Sequence, residues 1–449
     1  MKKLSRVFLF AVLVSFLFSV NFTITAFANE GFFLENSAVL TSSEPDWWGC
    51  GVQYGRLLVL KNQGNNDDGT LLATHCELNA GLEEYKPRYP IYKSTDNGEN
   101  WEIVTYVTDT LTGANSEWNP HLFELEKDCG KYKKGTIILA GCSIDPEHKK
   151  ESFIRLYFSV DGGKSFEQGV VVASGGGLED GVWEPFLLQL DDGRLVCYYS
   201  DDSDPEHSQK IVYKVSEDAE SWGETVDVVA TEIFEERPGM PVVTRLGDGR
   251  YFMVYEVVDK NGVSGNPVYA RYSSDGLDWG APDYIGEEII NYNGKKALGS
   301  APYCAWTQAG GENGTLVVSG TFMRMGESAT GTDLFMSNDN GESWVAVPHI
   351  ISYTAENNAG YSNSFAFSSD GKYMYLVNNP QNPENPEKSR MVVATIDFEE
   401  SLPLFNIDGI KSRNITLICG IISIVAGVIT VVCSIFMICS RRKRKKATK

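Results

Sequence analysis

The sequence is poor in the residues that build metal centres. Its 449 residues include only five His, and no Cys-x-x-Cys or His-x-x-x-His spacing brings potential ligands together. Structural and catalytic zinc sites depend on closely spaced Cys and His ligands of this kind. We therefore expect neither a metal ion nor another cofactor.

Positive charge is scarce as well. Lys and Arg number 39 against 60 Asp and Glu, which gives a formal net charge of −21 at pH 7. Without the three basic residues of positions 1–28 and the seven of positions 440–449, the formal net charge of the chain is −31. So acidic a surface argues against nucleic-acid binding and attracts polyanionic substrates poorly. We expect a neutral partner.

Long apolar runs occur only near the two ends of the chain. The first follows Lys2, Lys3 and Arg6 and stops before the small-residue sequence Ala26-Phe-Ala28. A basic start, an apolar stretch and such a cleavage site are typical of a secretory signal peptide. Residues 1–28 are therefore predicted to be a signal and not part of the fold.

The second apolar run, residues 415–439, contains no charged residue and is long enough to span a bilayer. The basic sequence 441–446 follows directly, which by the positive-inside rule places the tail in the cytoplasm. We expect a single-pass type I membrane protein at the cell surface, with an extracellular domain over residues 29–408. Residues 409–414 would link this domain to the membrane helix, and residues 440–449 would form the tail.

Six of the nine cysteines fall in the predicted extracellular domain, where disulfides persist. Six cysteines allow 15 pairings, and the sequence alone does not choose among them. A bond between Cys129 and Cys142 would close a short loop, so we expect this pair first. The six are Cys50, Cys76, Cys129, Cys142, Cys197 and Cys304.

A repeated turn signal is the main positive feature. Six times a pair ending in Gly precedes an apolar strand sequence, and Asp-Gly and Asn-Gly pairs mark tight hairpins because both residues tolerate a positive φ. Successive glycines are 56 to 66 residues apart, a period that fits the blades of a propeller. We predict an all-β, six-bladed β-propeller followed by one C-terminal transmembrane helix. The glycines are Gly69, Gly135, Gly193, Gly249, Gly314 and Gly371.

A second motif follows each of the first five turns. Its clearest copy is Ser94-Thr-Asp96-Asn-Gly98-Glu-Asn-Trp101. The Ser and Asp side chains bond the turn backbone, Gly takes a positive φ and the aromatic ring packs beneath. The motif resembles the Asp-box, or BNR repeat, of sialidases and related propellers. It indicates the fold and not the activity, because it braces a hairpin.

The two motifs together predict which rim of the propeller carries function. Suppose that both kinds of turn lie on one rim of the propeller. The innermost strand of each blade then begins on the opposite rim, and the second strand of each blade ends on that opposite rim. Glu184 begins the innermost strand of blade three and Glu256 ends the second strand of blade four, so the two meet there. Paired carboxylates flanking a cleft are what glycosidic cleavage requires. The alternative is that each glutamate is buried and satisfied by Arg or backbone amides.

Other residues near the starts of innermost strands are candidate ligands for a substrate. Inward-pointing arginines could bind hydroxyls or hold the glutamates ionised. His121 could move a proton or be a core histidine, and Trp183 could stack on a sugar or fill its blade. The candidates are Arg56, Asn119, His121, Trp183, Arg237 and Tyr361.

Five stretches carry a family resemblance: Trp183-Glu184-Pro185-Phe186-Leu, Leu190-Asp-Asp-Gly-Arg-Leu, Tyr198-Tyr-Ser-Asp-Asp202, Arg237-Pro-Gly-Met-Pro241 and Tyr251-Phe-Met-Val-Tyr-Glu256. They resemble glycoside hydrolase family 93, whose members are six-bladed exo-α-L-arabinanases related in fold to sialidases. The similarity covers about Val39 to Phe398.

This resemblance implies that Glu184 and Glu256 are the catalytic pair and that configuration is retained through a glycosyl-enzyme intermediate. Retention requires carboxyl groups about 5–5.5 Å apart. We favour Glu184 as acid/base and Glu256 as nucleophile. The expected substrate is an oligo- or polysaccharide of α-L-arabinofuranosyl or similar neutral sugars.

Two other functions compete with this one. A sialidase would need a Tyr nucleophile and three arginines, for which Tyr361, Arg56, Arg237 and Arg324 are available by count. A non-catalytic glycan-binding adhesin or receptor would suit an anchored propeller, but the presence of both glutamates counts against it. In each case we expect a monomer.

Overall fold

Six antiparallel sheets surround a central channel in the computed structural model. The structure describes residues 32–43, 51–64, 67–77, 88–111, 116–144, 151–354 and 356–404. The innermost strands of the six sheets contact one another in a closed ring. The predicted all-β, six-bladed propeller is therefore confirmed.

The strands are numbered along the chain, and each blade is given from its innermost strand outward. The first strand of the chain is β1 (Phe33–Ser43). Blade one contains β2 (Val52–Val59), β3 (Leu71–Glu77), β4 (Tyr89–Ser94) and β5 (Glu102–Val107). Blade two contains β6 (Ser116–Glu124), β7 (Ile137–Ile144), β8 (Ser152–Ser159) and β9 (Glu167–Gly175). Blade three contains β10 (Val182–Gln189), β11 (Leu195–Asp201), β12 (Lys210–Ser216) and β13 (Val226–Val229).

The second half of the ring follows the same order. Blade four contains β14 (Arg237–Arg245), β15 (Tyr251–Val258), β16 (Val268–Ser273) and β17 (Glu287–Glu288). A separate two-stranded sheet is formed by β18 (Ala297–Gly299) and β21 (Phe322–Met325). Blade five contains β19 (Tyr303–Thr307), β20 (Thr315–Ser319), β22 (Asp333–Ser337) and β23 (Val345–Pro348). Blade six contains β24 (Ser364–Phe367), β25 (Tyr373–Asn378), β27 (Asn385–Asp397), the short β26 (Gln381–Asn382) beside it, and β1.

The ring is closed by the start of the chain. Strand β1 pairs antiparallel with β27, with Val39 opposite Val392, and forms the outermost strand of blade six. A short helix, α1 (Phe398–Ser401), follows β27, and the Ser401 hydroxyl accepts a hydrogen bond from Phe33 N at 2.9 Å. The two ends of the propeller are thus held together within a single blade. The turn repeats did not predict this pairing.

The two predicted turn motifs form as expected. Each of the six turn glycines has a positive φ, from 67° at Gly314 to 94° at Gly193. In the first Asp-box, Ser94 Oγ donates to Asp96 Oδ1 at 2.8 Å and accepts from Gly98 N at 3.0 Å. The Trp101 indole N–H donates to Gly98 O at 3.0 Å. These bonds satisfy the turn backbone locally, as the sequence pattern requires.

The expected disulfide is absent. Cys129 and Cys142 are both buried free thiols, and so are Cys76, Cys197 and Cys304; Cys50 lies outside the described residues. Cys129 lies in the β6–β7 connection, bridged to Tyr132, whereas Cys142 lies near the opposite end of β7, opposite Trp118. The two residues are close in sequence but belong to opposite rims of blade two. The prediction from loop length was therefore wrong.

The membrane prediction concerns residues that the structure leaves undescribed. Within the described ranges, no helix is long and apolar enough to cross a membrane. The predicted signal at 1–28, the linker at 409–414, the span at 415–439 and the tail at 440–449 all lie outside those ranges.

A buried ion pair stabilises the connection that leads into β6. Arg155 Nε lies 2.8 Å from Asp109 Oδ2, with side chains only 5% and 0% exposed. The Asp109 amide in turn donates to Glu117 Oε1 at 2.6 Å, just before Trp118 and Asn119. Replacing Asp109 with Ala would leave the guanidinium buried without its anion, so we expect a loss of about 3–5 kcal/mol in the free energy of unfolding.

The measurement is urea unfolding of Asp109→Ala beside Asp191→Ala. Asp191 forms an ion pair with Arg245 in which both side chains are about half exposed (64% and 48%). Such a surface pair contributes at most about 1 kcal/mol. Equal stability losses in the two variants would show that the buried pair does not hold this connection.

Candidate active site

A cavity of 440 Å³ lies on the rim where the innermost strands begin. This is the rim opposite the glycine turns, as the repeat geometry predicted. Both candidate glutamates line it, together with four of the six candidate ligands. These residues are Asn119, Trp183, Glu184, Arg237, Glu256 and Tyr361.

In the first four blades, a bulge near the start of the innermost strand shapes this cavity. The pairing between the innermost and second strands of these blades shifts register there, for example between Trp183 and Phe186. One residue at each bulge has a positive φ: 60° at Tyr54, 48° at Asn119, 60° at Glu184 and 58° at Met240. Bulges redirect side chains, and a left-handed backbone at a non-Gly residue costs about 1–3 kcal/mol. The fold accepts this cost where side chains face the cavity.

Glu184 is held by two donors and surrounded by negative charge. Its Oε2 accepts from the Ser200 hydroxyl at 2.6 Å and from the Met240 amide at 3.0 Å. Burial raises the pKa of Glu184 to about 7, and the neighbouring charges of Glu256 and Asp202 act in the same direction. At neutral pH this carboxyl therefore exists in both protonation states, as a group that both gives and takes a proton must.

Glu256 has more donors that favour its ionised form. Its Oε2 accepts from the Ala301 amide at 2.8 Å and lies 3.4 Å from Asn266 Nδ2. Burial raises its pKa above the ordinary value of 4.5, whereas the Ala301 amide, the Ser300 hydroxyl, Asn266 and Arg237 lower it. The balance differs from that at Glu184, where the charges of Glu256 and Asp202 both raise the pKa.

The bulge of blade four lies next to both glutamates. Gly239 lies opposite Glu256 in the β14–β15 ladder, and the next residue, Met240, donates its amide to Glu184. Two adjacent residues of blade four therefore contact one glutamate from each of two neighbouring blades. This places the pair on the two sides of a single cleft.

Trp183 forms an aromatic wall beside Glu184. Its ring stacks on Trp118 with centroids 6.0 Å apart and planes inclined by 28°. The indole N–H donates to Asp202 Oδ2 at 3.1 Å. A Cβ at Gly181 would overlap the Trp183 ring, so glycine is required there. Both tryptophans line the cavity, and a flat aromatic wall of this kind can pack against the face of a sugar.

Arg237 is paired with a carboxylate of the same cavity. Its NH2 donates to Asp202 Oδ2 at 3.0 Å, and its NH1 lies 3.3 Å from the Ser208 hydroxyl. The Asp202 side chain is 3% exposed, whereas that of Arg237 is 35% exposed. The guanidinium is therefore neutralised on one side and open to solvent on the other.

Tyr361 lies close to both glutamates but is poorly placed to ionise. Its hydroxyl contacts Met240 Sδ at 3.5 Å. Burial raises the pKa of Tyr361 well above the ordinary value of 10, and the charges of Glu256 and Glu184 raise it further. The phenol therefore remains protonated, and it can donate a hydrogen bond to a ligand.

The structure does not bring the remaining two candidates, Arg56 and His121, to the cavity. Arg56 is 3% exposed, donates to Ser362 O and Oγ at 2.9 Å, and packs 3.8 Å from the centre of the Tyr54 ring. His121 is 4% exposed, with its ring 4.2 Å from that of Phe186. Burial and the Arg56 charge lower the pKa of His121 to about 3, so it is a neutral core residue.

The arginines required for a sialidase are not assembled either. Arg56 binds backbone and Ser362 beneath the cavity, Arg237 pairs with Asp202, and Arg324 forms an ion pair with Glu288. Of the three, Arg237 alone is among the residues that line the cavity. They do not form a joint binding site for a carboxylate.

Several lining residues were not singled out from the sequence. Tyr54 occupies the bulge position of blade one, Gln209 directly precedes β12, and Asp202 directly follows β11. Asp202 lies within a motif that carried the family resemblance, which was the one available signal for it. Among the described residues, no group of three or more His, Cys, Asp or Glu is arranged to hold a metal ion.

Solved structures of similar sequence share this architecture. An α-L-arabinanase from Penicillium chrysogenum, complexed with arabinobiose, is 32% identical, with 81% of this chain and 99% of that chain covered and a TM-score of 0.68. The GH93 α-L-arabinofuranosidase of Fusarium graminearum, complexed with arabinobiose, is 29% identical over 81% and 99% of the two chains, with a TM-score of 0.65. A microbial sialidase, 14% identical over 77% and 65% of the two chains with a TM-score of 0.52, shares only the fold.

No protein-family model and no curated protein matches the sequence. The identity to the Penicillium arabinanase nevertheless extends over almost all of that enzyme. On this ground the chain belongs to glycoside hydrolase family 93 and is a glycoside hydrolase.

Proposed function

We propose that the protein is a cell-surface, retaining exo-glycosidase that releases α-L-arabinofuranosyl units, or similar neutral sugars, from oligo- or polysaccharides. Glu184 is the acid/base and Glu256 the nucleophile. The observation that carries this proposal is the placement of both glutamates in one cavity with different surroundings. Glu256 has three donors and a nearby cation, while Glu184 has two donors and two neighbouring carboxylates.

In the first step Glu256 attacks the anomeric carbon as the bond to the leaving oxygen breaks, and Glu184 gives its proton to that oxygen. A sugar–Glu256 ester forms and the alcohol departs. In the second step Glu184, now ionised, takes a proton from water, which attacks the same carbon and expels Glu256. Charge is balanced at each step, because the proton lost by Glu184 in the first step is regained in the second.

A neutral substrate is favoured by the charges of the cavity. Among its described lining residues, Arg237 is the single cation and it is already paired with Asp202, while Glu184, Glu256 and Asp202 are acidic. An anionic sugar would meet three carboxyl groups and one neutralised guanidinium. The two family-93 structures that contain arabinobiose support a pentofuranose as the neutral unit.

The location is proposed from the sequence. A leader at residues 1–28, an uncharged apolar run at 415–439 and a basic tail at 440–449 would place the propeller outside the cell on one membrane helix. An enzyme held in this way would act on glycans at the cell surface or in the surrounding medium.

The activity is tested with the full chain on an aryl α-L-arabinofuranoside, linear arabinan and a fluorogenic sialoside. We expect release of arabinose from the first two and no turnover of the third. Cleavage of the sialoside alone would overturn the proposal, and a folded protein with no activity on any of the three would favour a glycan-binding role.

The pH dependence follows from the two carboxyl groups. Glu184 must be protonated in the free enzyme, and its pKa is raised to about 7, so kcat/KM should fall as pH rises above that value. Glu256 must be ionised, and its pKa is raised above 4.5, so kcat/KM should also fall on acidification, at a pH higher than an ordinary glutamate gives. A pH–rate profile on arabinan measures both limbs. A profile flat from pH 6 to about 9 would contradict the assignment of Glu184.

A further inference from the structure

Asp202 has one carboxylate oxygen that the protein does not use. Oδ2 accepts from both Trp183 Nε1 at 3.1 Å and Arg237 NH2 at 3.0 Å. Oδ1 is buried and has no hydrogen-bond partner. A buried carboxylate oxygen without a donor costs free energy, so its persistence beside a cavity requires an explanation. Asp202 is among the residues that line that cavity.

The position of Asp202 is fixed by its backbone. It directly follows the last residue of β11, and its amide donates to Gly181 O at 2.9 Å, just before β10 begins. The same two strands carry Ser200 and Glu184, which are hydrogen-bonded at 2.6 Å. The carboxylate is therefore held rigidly relative to Glu184, and its charge acts on Glu184 directly.

The contacts of Asp202 also keep it an acceptor. Burial raises the pKa of Asp202 to about 6, although the Arg237 guanidinium and the Trp183 indole N–H lower it, so the carboxyl is mainly ionised at neutral pH. An ionised carboxylate has no proton to donate, so the unused Oδ1 can only accept. Because Oδ2 is bonded to the edge of the Trp183 ring, Oδ1 lies at the edge of the aromatic wall described above. A sugar whose face packs on this wall presents hydroxyl groups at its edge.

We propose that Asp202 Oδ1 accepts a hydrogen bond from a ring hydroxyl of the sugar bound beside Glu184, which makes Asp202 a specificity-determining residue. The inference rests on the proposed function, since it needs a sugar in this cavity. A hydrogen bond from a hydroxyl to a charged acceptor discriminates strongly against an analogue that lacks the hydroxyl, because the buried oxygen is then left unpaired.

The experiment compares wild-type protein and Asp202→Asn on an aryl α-L-arabinofuranoside and its three monodeoxy analogues. In the variant, the two donors Arg237 and Trp183 will retain the amide oxygen, so an NH2 group replaces Oδ1. We expect kcat/KM on the parent sugar to fall about 10- to 100-fold, the usual effect of losing a hydrogen bond to a charged group. The wild type should have a low kcat/KM on one deoxy analogue, the one that lacks the hydroxyl bound by Oδ1. On that analogue the kcat/KM of Asp202→Asn should be no lower than that of the wild type.

An equal loss on all four substrates would show that Asp202 only positions Arg237 and Trp183, and would overturn the proposal. So would unchanged kcat/KM in the variant. Asp201→Asn is the matched control, because Asp201 is the neighbouring buried carboxylate and accepts from Ser203 rather than facing the cavity. It should preserve the wild-type ratios among the four substrates. If the wild type hydrolyses none of them, the proposed function has failed and not the role of Asp202 within it.

A second measurement does not depend on an Asp202 variant. A crystal structure of the full chain carrying Glu184→Gln, soaked with arabinobiose, shows which atom occupies the space next to Oδ1. A sugar hydroxyl oxygen at about 2.5–3.0 Å supports the proposal. A water molecule at that place, or a sugar whose hydroxyls all bond elsewhere, overturns it.

Discussion

Glu256→Gln should lower kcat on every arabinofuranoside by roughly 10⁴-fold or more, because the amide cannot form the ester to the anomeric carbon. The loss should not depend on the leaving group, since the first step itself is blocked. Glutamine keeps the shape of the side chain and can still accept from the Ala301 amide, so the fold should persist. The measurement is kcat on an arabinan oligosaccharide and on an aryl arabinofuranoside with a highly acidic phenol.

Glu124→Gln is the matched control for Glu256→Gln. Glu124 is also a buried glutamate at the end of a strand, and it accepts from Lys61 N at 2.7 Å and Asn62 N at 3.1 Å. It lies on the opposite rim, so its loss should cost stability without lowering kcat. Residual activity of Glu256→Gln within tenfold of wild type would exclude it as the nucleophile.

Glu184→Gln should separate the two chemical steps. With arabinan, whose leaving alcohol needs a proton, we expect kcat/KM to fall about 10²- to 10⁴-fold, the usual contribution of a general acid. With an activated aryl arabinofuranoside the first step needs no acid, so the sugar–Glu256 ester should form quickly and accumulate. Stopped-flow measurement should then show a burst of phenol followed by slow turnover.

Azide provides the control within this experiment. It attacks without a general base, so it should restore turnover of Glu184→Gln and give an arabinosyl azide of the same anomeric configuration as the substrate. Ser200→Ala, which removes the 2.6 Å donor to Glu184 but leaves the carboxyl, should not respond to azide. Equal losses of Glu184→Gln on arabinan and on the activated substrate would contradict the acid/base role.

The fold was largely predictable because its signals are local. A tight hairpin requires a residue that tolerates positive φ, and the six glycines and the Asp-boxes mark such turns directly in the sequence. Their alternation fixes strand direction, and from direction alone Glu184 and Glu256 were expected on one rim. The pairing of β1 with β27 gave no such signal, because it joins segments about 350 residues apart with ordinary strand sequences.

The side-chain environment of the cavity was less predictable because it depends on the bulges. Within blade one, Tyr54 has a positive φ and lines the cavity, whereas Arg56, two residues later, points into the packed interior. Asn119 and His121 show the same division in blade two. The sequence analysis selected polar residues near the starts of innermost strands, and such a choice does not show that the strands turn the Arg56 and His121 side chains away from the cavity. Asp202 lies beyond a strand end, where periodicity gives no direction.

The covalent intermediate is the most direct test of the mechanism. The Glu184→Gln protein would be mixed with an activated aryl α-L-arabinofuranoside, quenched in acid, digested and analysed by mass spectrometry. We expect one pentosyl group on the peptide that contains Glu256, at the position of that residue. A pentosyl group on Tyr361, or turnover with inversion and no labelled peptide, would contradict the assignment of Glu256 as the nucleophile of a retaining glycosidase.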